Sequence, residues 1–349
     1  MTGEGGGVRE SLENRTIFAV KINNTNLEDY IMLVDMPLEK LKTYQGSSPC
    51  PADIDQYWDD ALAEMNALNP NTEFIRGGIS SKSTDFFDMY FTGTKNARIH
   101  AKVAVPRNID SKAPAVLRFH GLAGYATEWV NLLSYASQGY VVAALDTRGQ
   151  GGESEDVGGV RGTTFTTPFM RGIDGEKHDL YLRDVFLDTA LMAKIIMGLD
   201  YVDENRVAVM GGSQGGGLSL ACAALVPQIK KCTVNYPYMS DYKRVYEMDL
   251  NKDAYEGLNY YFRNFDPTHS REDEVFERLG YVDIQNLAKR IKAEVQMHTG
   301  LMDTICPPST QFAAYNKITS KKSVIIYPEY GHEGIKGASD ATFEFLSDL

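Results

Sequence analysis

Two different spacings of apolar residues follow one another in the first third of the chain. In residues 54–68 the apolar side chains recur every three or four positions, which predicts an amphipathic helix with Asp53 as its N-cap. The next three stretches, 72–80, 85–93 and 97–106, are rich in aromatic and β-branched residues and are separated by turn residues. They predict three antiparallel strands at one edge of a sheet.

After Pro114 the pattern changes to short apolar runs, most of them followed by a segment of helical character. The predicted strands lie in residues 115–121, 140–146, 206–212, 232–238, 293–300 and 323–331. The predicted helices lie in residues 126–138, 177–198, 215–226, 308–318 and 334–348. Alternation of this kind predicts an α/β fold with a mostly parallel central sheet and helices on both faces.

One long segment interrupts the alternation. Residues 240–293 are rich in Tyr, Phe, Asp, Arg and Glu and have helical character, so we expect a helical insertion at the edge of the sheet, where it forms a lid or a subunit contact. The loop 162–174 is expected at the mouth of a site. The predicted organisation is therefore an N-terminal extension, 1–34, and a single domain, 35–349, that contains the insertion.

Composition and charge exclude several classes of partner. The chain has 349 residues, 43% of them hydrophobic and 23% charged, as expected of a globular protein, and its net charge is −12. This charge repels phosphate backbones and anionic lipids, so we expect neither nucleic acid nor a membrane as a partner. The sequence has no secretory signal pattern and no apolar run of membrane-spanning length, which predicts a soluble protein that is not secreted by a cleaved signal.

The four cysteines carry no metal or disulfide signature. They are far apart in the chain and none belongs to a CxxC pair, so we expect reduced thiols and no metal site. Their positions are Cys50, Cys222, Cys232 and Cys306.

A glycine-rich turn at residues 207–225 raises the question of a nucleotide site. Neither the phosphate-binding pattern with its Lys nor the dinucleotide pattern fits these glycines, and no cofactor is expected. The pattern G-x-S-x-G does fit, from Gly211 to Gly215, directly between a predicted strand and a predicted helix. It predicts that Ser213 is a nucleophile on the sharp turn of an α/β-hydrolase fold, although a packed turn with an ordinary buried serine remains an alternative.

A serine nucleophile needs a base and an acid, which follow it in this chain order. Of the later histidines, His298 lies inside a predicted strand and His269 in the polar insertion, whereas His332 follows the last predicted strand on a loop. His332 is therefore the predicted base. Asp303, just past the preceding strand and too far from the next helix to be its N-cap, is the predicted acid, with Asp241 as its rival.

The tetrahedral intermediate of such a reaction needs two backbone N–H donors. One is predicted at Gln214, the residue after the nucleophile, and the other at Leu122, in the loop after the strand that ends in "FHG". His120 precedes this loop and is on the wrong side of Ser213 in chain order. We therefore expect His120 to brace the turn rather than to take part in catalysis.

Several short motifs together resemble the acetyl xylan esterase and cephalosporin-C deacetylase family of carbohydrate esterases, over residues 35–349. They are "FHG" at 119–121, "RGQ" at 148–150, "GGSQGG" at 211–216, "HE" at 332–333 and "IDQYWDDAL" at 54–62. The resemblance implies the α/β-hydrolase fold, and hydrolysis of acetyl esters on xylooligosaccharides, similar small sugars and cephalosporin C. The family's catalytic triad matches Ser213, Asp303 and His332.

The resemblance has further implications for assembly and for two motif residues. It implies a cytoplasmic, ring-like homohexamer that needs no cofactor, and a structural role for Arg148 and Gln150 around the elbow. The family usually carries Tyr where this chain has Leu122, so a ring contact with substrate is lost while the N–H donor is kept. Tyr125, three residues later, is a candidate to fill part of that space.

Two other functions share parts of this pattern. A serine peptidase of the prolyl-oligopeptidase type has the same elbow and the same order of triad residues, although its larger members carry a propeller that this chain is too short to contain. A catalytically silent carbohydrate-binding protein would keep the fold without the chemistry. Comparing acetyl esters with aminoacyl amides separates the first from an esterase, and labelling by a fluorophosphonate separates the second.

Overall fold

The computed structural model describes residues 34–157 and 168–349. These residues belong to one unit that spans Met32–Leu349. Residues 1–33 of the predicted extension and residues 162–167 of the predicted mouth loop lie outside the described residues.

A nine-stranded sheet runs through the described residues in the order β1-β2-β3-β5-β4-β6-β7-β8-β9. The pairs β1–β2, β2–β3 and β3–β5 are antiparallel, and all the other pairs, including β5–β4, are parallel. The strands are β1 (Glu73–Arg76), β2 (Thr84–Thr92), β3 (Arg98–Pro106), β4 (Ala113–Phe119), β5 (Val141–Leu145), β6 (Val202–Gly212), β7 (Lys231–Asn235), β8 (Glu294–Gly300) and β9 (Lys322–Tyr327). This arrangement confirms the predicted change from antiparallel to parallel strands.

Helices cover both faces of this sheet, as the alternation predicts. They are α1 (Leu38–Leu41), α2 (Ile54–Ala67), α3 (Trp129–Ala136), α4 (Tyr181–Met197), α5 (Gln214–Leu225), α6 (Tyr242–Glu247), α7 (Glu256–Phe265), α8 (Glu272–Gly280), α9 (Ile284–Leu287), α10 (Pro308–Lys317) and α11 (Ala338–Leu346). Two successive residues of β4, Val116 and Leu117, point to opposite faces of the sheet and pack against different helices. Val116 packs in a cluster with α3 and α11, and Leu117 packs in the larger cluster with α2, α4 and α5.

The start of α2 differs in detail from the prediction. Asp53 occupies the N-cap position, but its side chain makes no capping hydrogen bond. Its carboxylate instead accepts from the hydroxyl of Tyr281 at 2.5 Å and pairs with Lys177. The helix therefore starts where the pattern indicates, while the side chain of Asp53 ties it to the helical insertion.

The position of the insertion corrects another prediction. Residues 240–293 connect β7 to β8, and these two strands pair directly with each other. Strand β9, which pairs with β8, forms that edge of the sheet, so the insertion does not lie at the sheet edge. Its last helix, α9, packs against α5 and α10. The insertion thus adds to the helical layer rather than extending the sheet.

None of the helices in the described residues is long and apolar enough to span a membrane.

Candidate active site

Ser213 lies on the sharp turn between β6 and α5, in a strained backbone conformation with φ 55° and ψ −122°. A Cβ on Gly215 would come within 2.0 Å of the carbonyl oxygen of Phe119, and one on Gly211 within 2.4 Å of Gly215. Side chains at these two positions are sterically impossible without moving backbone. The glycines therefore permit the close passage of strand and helix that raises Ser213 at the turn.

The structure brings Ser213, His332 and Asp303 together in one hydrogen-bonded chain. Nε2 of His332 lies 2.9 Å from Oγ of Ser213, and Nδ1 of His332 lies 2.9 Å from Oδ2 of Asp303. Since an ionised carboxylate can only accept, Nδ1 carries the proton and Nε2 is left to accept from the serine hydroxyl. The arrangement leaves His332 in the tautomer that a general base needs.

Asp303 is fully buried, and its second carboxylate oxygen is held by the backbone. Oδ1 accepts hydrogen bonds from the N–H groups of Ile305 at 2.9 Å and Cys306 at 2.8 Å. These bonds fix the carboxylate so that Oδ2 faces His332. The next helix begins only at Pro308, as the sequence analysis expected.

The two other candidate histidines lie in different environments. His298 is fully buried on β8 between the hydroxyl of Tyr327 and the side chain of Gln296, each 3.1 Å away, and burial lowers its pKa to about 4. It is a neutral core residue. His269 is exposed on the insertion, where its ring stacks on Phe262.

Asp241, the rival acid, has a different set of partners. Its carboxylate accepts from the N–H groups of Ser47 at 2.9 Å and Ser48 at 2.8 Å, and from the hydroxyl of Tyr44 at 2.8 Å. It therefore holds the segment before α2 against the insertion. The geometry favours Asp303 over Asp241 as the partner of His332.

The predicted oxyanion donors lie at the ends of two neighbouring strands, since β4 and β6 pair directly. Gln214 is the first residue of α5, so its N–H has no acceptor within the helix. Leu122 follows β4, and the preceding carbonyl, of Gly121, accepts from Nδ1 of His120 at 2.7 Å and from the N–H of Gly124 at 3.0 Å. Because C=O and N–H point in opposite directions across a trans peptide, these bonds also fix the direction of the Leu122 N–H.

His120 braces this loop through both ring nitrogens. While Nδ1 donates to Gly121, Nε2 accepts from the backbone N–H of Thr147 at 3.0 Å. Burial lowers the pKa of His120, which keeps the ring neutral and leaves Nε2 available as an acceptor. His120 therefore joins the loop of Leu122 to the segment that follows β5.

The "RGQ" residues lie next to the elbow. The buried guanidinium of Arg148 pairs with Asp188, with Nη2 2.7 Å from Oδ1, and donates to Oγ1 of Thr94 at 2.9 Å. The side chain of Gln150 forms a reciprocal amide pair with the side chain of Gln214, at 2.8 and 2.9 Å. Sequence reasoning placed both "RGQ" residues near the elbow but missed the amide pair. The sequence signal for this pair was limited to one glutamine in "RGQ" and one in "GGSQGG".

A buried histidine stabilises the same region from the other side. His100 lies between two carboxylates, with Nδ1 2.6 Å from Asp146 and Nε2 2.9 Å from Asp88. Burial lowers the pKa of His100, but the hydrogen bonds to the two carboxylates outweigh it and leave the pKa above its usual value. Asp146 also accepts from the N–H of Ala126 at 2.6 Å, so this cluster holds the far end of the loop that contains Leu122.

Two tyrosines lie near the site, and only one of them, Tyr125, was a candidate from the sequence. Tyr236, which the sequence analysis did not select, packs its ring against His332 with ring centroids 4.6 Å apart. Tyr125, the candidate to fill the space beside Leu122, is 44% exposed and donates its hydroxyl to Glu128 at 2.8 Å. Tyr236 therefore lies against the proposed base, and Tyr125 is bonded toward α3.

The described residues contain no group of three or more His, Cys, Asp or Glu side chains that could hold a metal ion. All four cysteines are free thiols.

A mostly parallel sheet, with a serine elbow after β6 and a carboxylate and a histidine after β8 and β9, defines the α/β-hydrolase fold. The model of the acetyl xylan esterase (AXE1) family matches residues 31–349. The chain therefore belongs to the acetyl xylan esterase family, which confirms the resemblance drawn from the motifs.

Solved structures and a curated relative agree with this assignment. Acetyl xylan esterase 1 from Thermoanaerobacterium sp. JW/SL YS485 is 51% identical, with a TM-score of 0.89 over 90% of this chain and 99% of that chain. Acetyl xylan esterase from Paenibacillus sp. R4 is 32% identical, with a TM-score of 0.85 over 90% of this chain and 100% of that chain. The acetyl esterase Axe7A of Xylanibacter ruminicola is 29% identical over 306 residues, which is 84% of this chain but 65% of that protein's length.

Proposed function

We propose that the protein is a serine esterase that removes acetyl groups from acetylated xylooligosaccharides and from related small substrates such as cephalosporin C. The observation that carries the proposal is the hydrogen-bonded chain from Oγ of Ser213 through His332 to Asp303. Membership of the acetyl xylan esterase family supports the substrate class. The net charge of −12 favours neutral substrates such as sugar acetates over polyanions.

In the first half of the proposed reaction, Oγ of Ser213 attacks the carbonyl carbon of the acetyl ester. Nε2 of His332 takes the hydroxyl proton as the new C–O bond forms, and the backbone N–H groups of Gln214 and Leu122 stabilise the resulting oxyanion. The C–O bond to the sugar then breaks. The leaving alkoxide receives the proton from His332, which gives a free sugar hydroxyl and an acetyl group on Ser213.

In the second half, water repeats the attack. His332 takes a proton from the water molecule, whose oxygen adds to the acetyl carbonyl, and the bond to Oγ of Ser213 breaks. Acetate leaves and the serine hydroxyl regains its proton. Throughout, Asp303 stays ionised and stabilises the imidazolium that forms in both steps.

The proposed roles imply approximate energies. Removing one well-aimed oxyanion donor from an enzyme of this kind costs about 3–4 kcal/mol of transition-state stabilisation. Both donors here belong to the backbone, so substitution of the Gln214 or Leu122 side chain does not remove the N–H groups themselves. Leu122 therefore affects the fit of the substrate more than the chemical step.

A substrate panel tests the proposal. Acetate release is measured from acetylated xylooligosaccharides and from cephalosporin C, and p-nitrophenol release is measured from p-nitrophenyl esters of increasing acyl length. Amine release from aminoacyl amides is the peptidase control. We expect acetyl esters to be the best substrates and the amides to be inert. A rate that rises from acetate to octanoate, or preferential cleavage of the amides, would refute the assignment. Failure of a fluorophosphonate to label Ser213 would favour a silent binding protein.

We further propose that the protein acts in the cytoplasm as a homohexamer, as the family resemblance implies. The mass of the purified protein in solution, measured by sedimentation equilibrium, tests the assembly. A monomer at micromolar concentration would contradict it.

A further inference from the structure

The side chain of Gln150 connects the two segments that carry the proposed oxyanion donors. Its Oε1 accepts from the backbone N–H of Ala123 at 2.9 Å and from Nε2 of Gln214 at 2.9 Å. Its Nε2 donates to Oε1 of Gln214 at 2.8 Å and to the hydroxyl of Tyr181 at 3.4 Å. A primary amide offers two N–H donors and two acceptor lone pairs, so all four are used.

On one side, this network holds the first turn of α5. Gln214 is 1% exposed, and its side-chain amide is paired in both directions with that of Gln150. A shift or rotation at the start of α5 would break both bonds of the pair inside the protein, where water cannot replace them. The pair therefore fixes the position of the residue that carries one of the two proposed oxyanion donors.

On the other side, the network holds the loop of Leu122. The N–H of Ala123 belongs to the peptide that follows Leu122, and Ala123 has φ 60°, a conformation that a non-glycine residue rarely adopts. The preceding peptide is fixed by the bonds of the Gly121 carbonyl to His120 and Gly124. Two successive peptides are thus fixed around Leu122, one of them by Gln150.

Gln150 is itself held firmly. Two residues earlier, the carbonyl of Arg148 accepts from the hydroxyl of Tyr181 at 2.6 Å, and the Arg148 guanidinium is paired with buried Asp188. One residue later, the N–H of Gly151 donates to the carbonyl of Gly124 at 2.8 Å. The amide of Gln150 therefore projects from an anchored backbone.

We infer that Gln150 is a positioning residue that sets the distance and relative direction of the Gln214 and Leu122 N–H donors. It acts through the side chain of Gln214 and the backbone of Ala123, without touching the reacting atoms. The inference rests on the proposed function, because it assigns Gln150 to the oxyanion that forms in that reaction. Interactions that serve only the transition state affect kcat and leave KM unchanged.

The test uses Gln150→Met and Gln214→Met, which keep the length of the side chain while removing its hydrogen bonds, and the double variant. For p-nitrophenyl acetate we expect Q150M to lose about ten- to a hundred-fold in kcat with little change in KM, since a small misplacement of such groups has effects of this size. Q214M should lose less, because the Ala123 bond survives. The double variant should lie within about twofold of Q150M, because residues that act as one unit are not additive.

The matched control is Gln285→Met. Gln285 is also a buried amide, which donates to Asp283 and accepts from Lys317, and it lies on α9 of the insertion. Q285M should lower thermal stability without changing kcat per active site, where the active sites are counted by fluorophosphonate titration. A merely structural role of Gln150 would give the same result for Q150M.

The inference is overturned if Q150M keeps the parental kcat per titrated site, or if the losses of Q150M and Q214M multiply in the double variant. These outcomes leave the proposed function intact as long as the parent protein hydrolyses the ester and Ser213→Ala does not. If the parent protein itself is inactive and unlabelled, the proposed function fails instead.

Discussion

Replacing Asp303 by Asn tests the orientation of His332 most sharply, because the structure dictates how the new side chain will sit. Oδ1 of Asp303 accepts from two backbone N–H groups, those of Ile305 and Cys306. The oxygen of an asparagine must occupy this position, since its NH2 group cannot accept. The NH2 group is then directed at Nδ1 of His332, where the carboxylate oxygen lay at 2.9 Å.

This geometry changes the tautomer of the base. Facing a donor, Nδ1 of His332 must become the acceptor, so the ring proton moves to Nε2, which faces Oγ of Ser213 at 2.9 Å. In this form His332 cannot take the serine proton. The same change in a serine protease costs about 10⁴ in kcat, and we expect a loss of about 10³–10⁴, or roughly 4–5.5 kcal/mol of transition-state stabilisation.

The assay is hydrolysis of p-nitrophenyl acetate, with folding checked by circular dichroism. Asp241→Asn is the matched control, because Asp241 is also fully buried and accepts from two backbone N–H groups but does not contact His332. It should keep kcat within a few-fold. A D303N protein that folds and retains kcat within tenfold of the parent, or a D241N protein that loses as much as D303N, would refute the assignment of the acid.

Three further predictions concern the framework of the site. The native pKa of His100 lies above its unfolded value, so the stabilisation that its charge gives is complete below about pH 6.5 and is lost as the pH rises through the native pKa. The free energy of urea unfolding should therefore be smaller at alkaline pH, and a His100→Gln protein whose unfolding free energy changes with pH as steeply as that of the parent would contradict this. Gly215→Ala should lower the free energy of unfolding by more than about 3 kcal/mol, because its Cβ would overlap the Phe119 carbonyl, whereas Gly334→Ala places its Cβ with no atom within 4 Å and should have little effect. Equal melting temperatures of these two variants would contradict the steric explanation. Arg148→Met should lower the free energy of urea unfolding by about 3–5 kcal/mol, because it leaves the buried carboxylate of Asp188 unpaired. A loss below about 1 kcal/mol, which is typical of an exposed ion pair, would contradict this prediction.

The parts of the fold that sequence predicts well are those set by local patterns. Strands that are buried on both faces, such as β5 with all five residues buried, appear in the sequence as uninterrupted apolar runs. The elbow at Ser213 is equally local, because the steric demand falls on glycines within two residues of it. The order of serine, acid and base along the chain, together with the position of each residue just after a predicted strand, then led to Asp303 and His332, with Asp241 left as a rival acid.

The parts that sequence reasoning missed depend on contacts between distant segments. The local sequence predicts Asp53 at the N-cap position, but it does not predict that the carboxylate bonds to Tyr281 and Lys177 instead of the helix backbone, because these are tertiary contacts. The pairing of Gln150 with Gln214 joins two loops that lie 64 residues apart in the chain. No spacing or periodicity in the sequence predicts such a pair, because it forms only when the carboxyl ends of β5 and β6 lie at the same edge of the folded sheet.

The most direct test of the central claim is to trap the acetyl-enzyme. The parent protein and Ser213→Ala are mixed with p-nitrophenyl acetate, quenched in acid within milliseconds and digested, and the peptides are analysed by mass spectrometry. We predict an added acetyl group on the peptide that contains Ser213 in the parent, together with a burst of p-nitrophenol, and neither in the Ser213→Ala protein. Turnover at the parental rate by a folded Ser213→Ala protein would contradict the account.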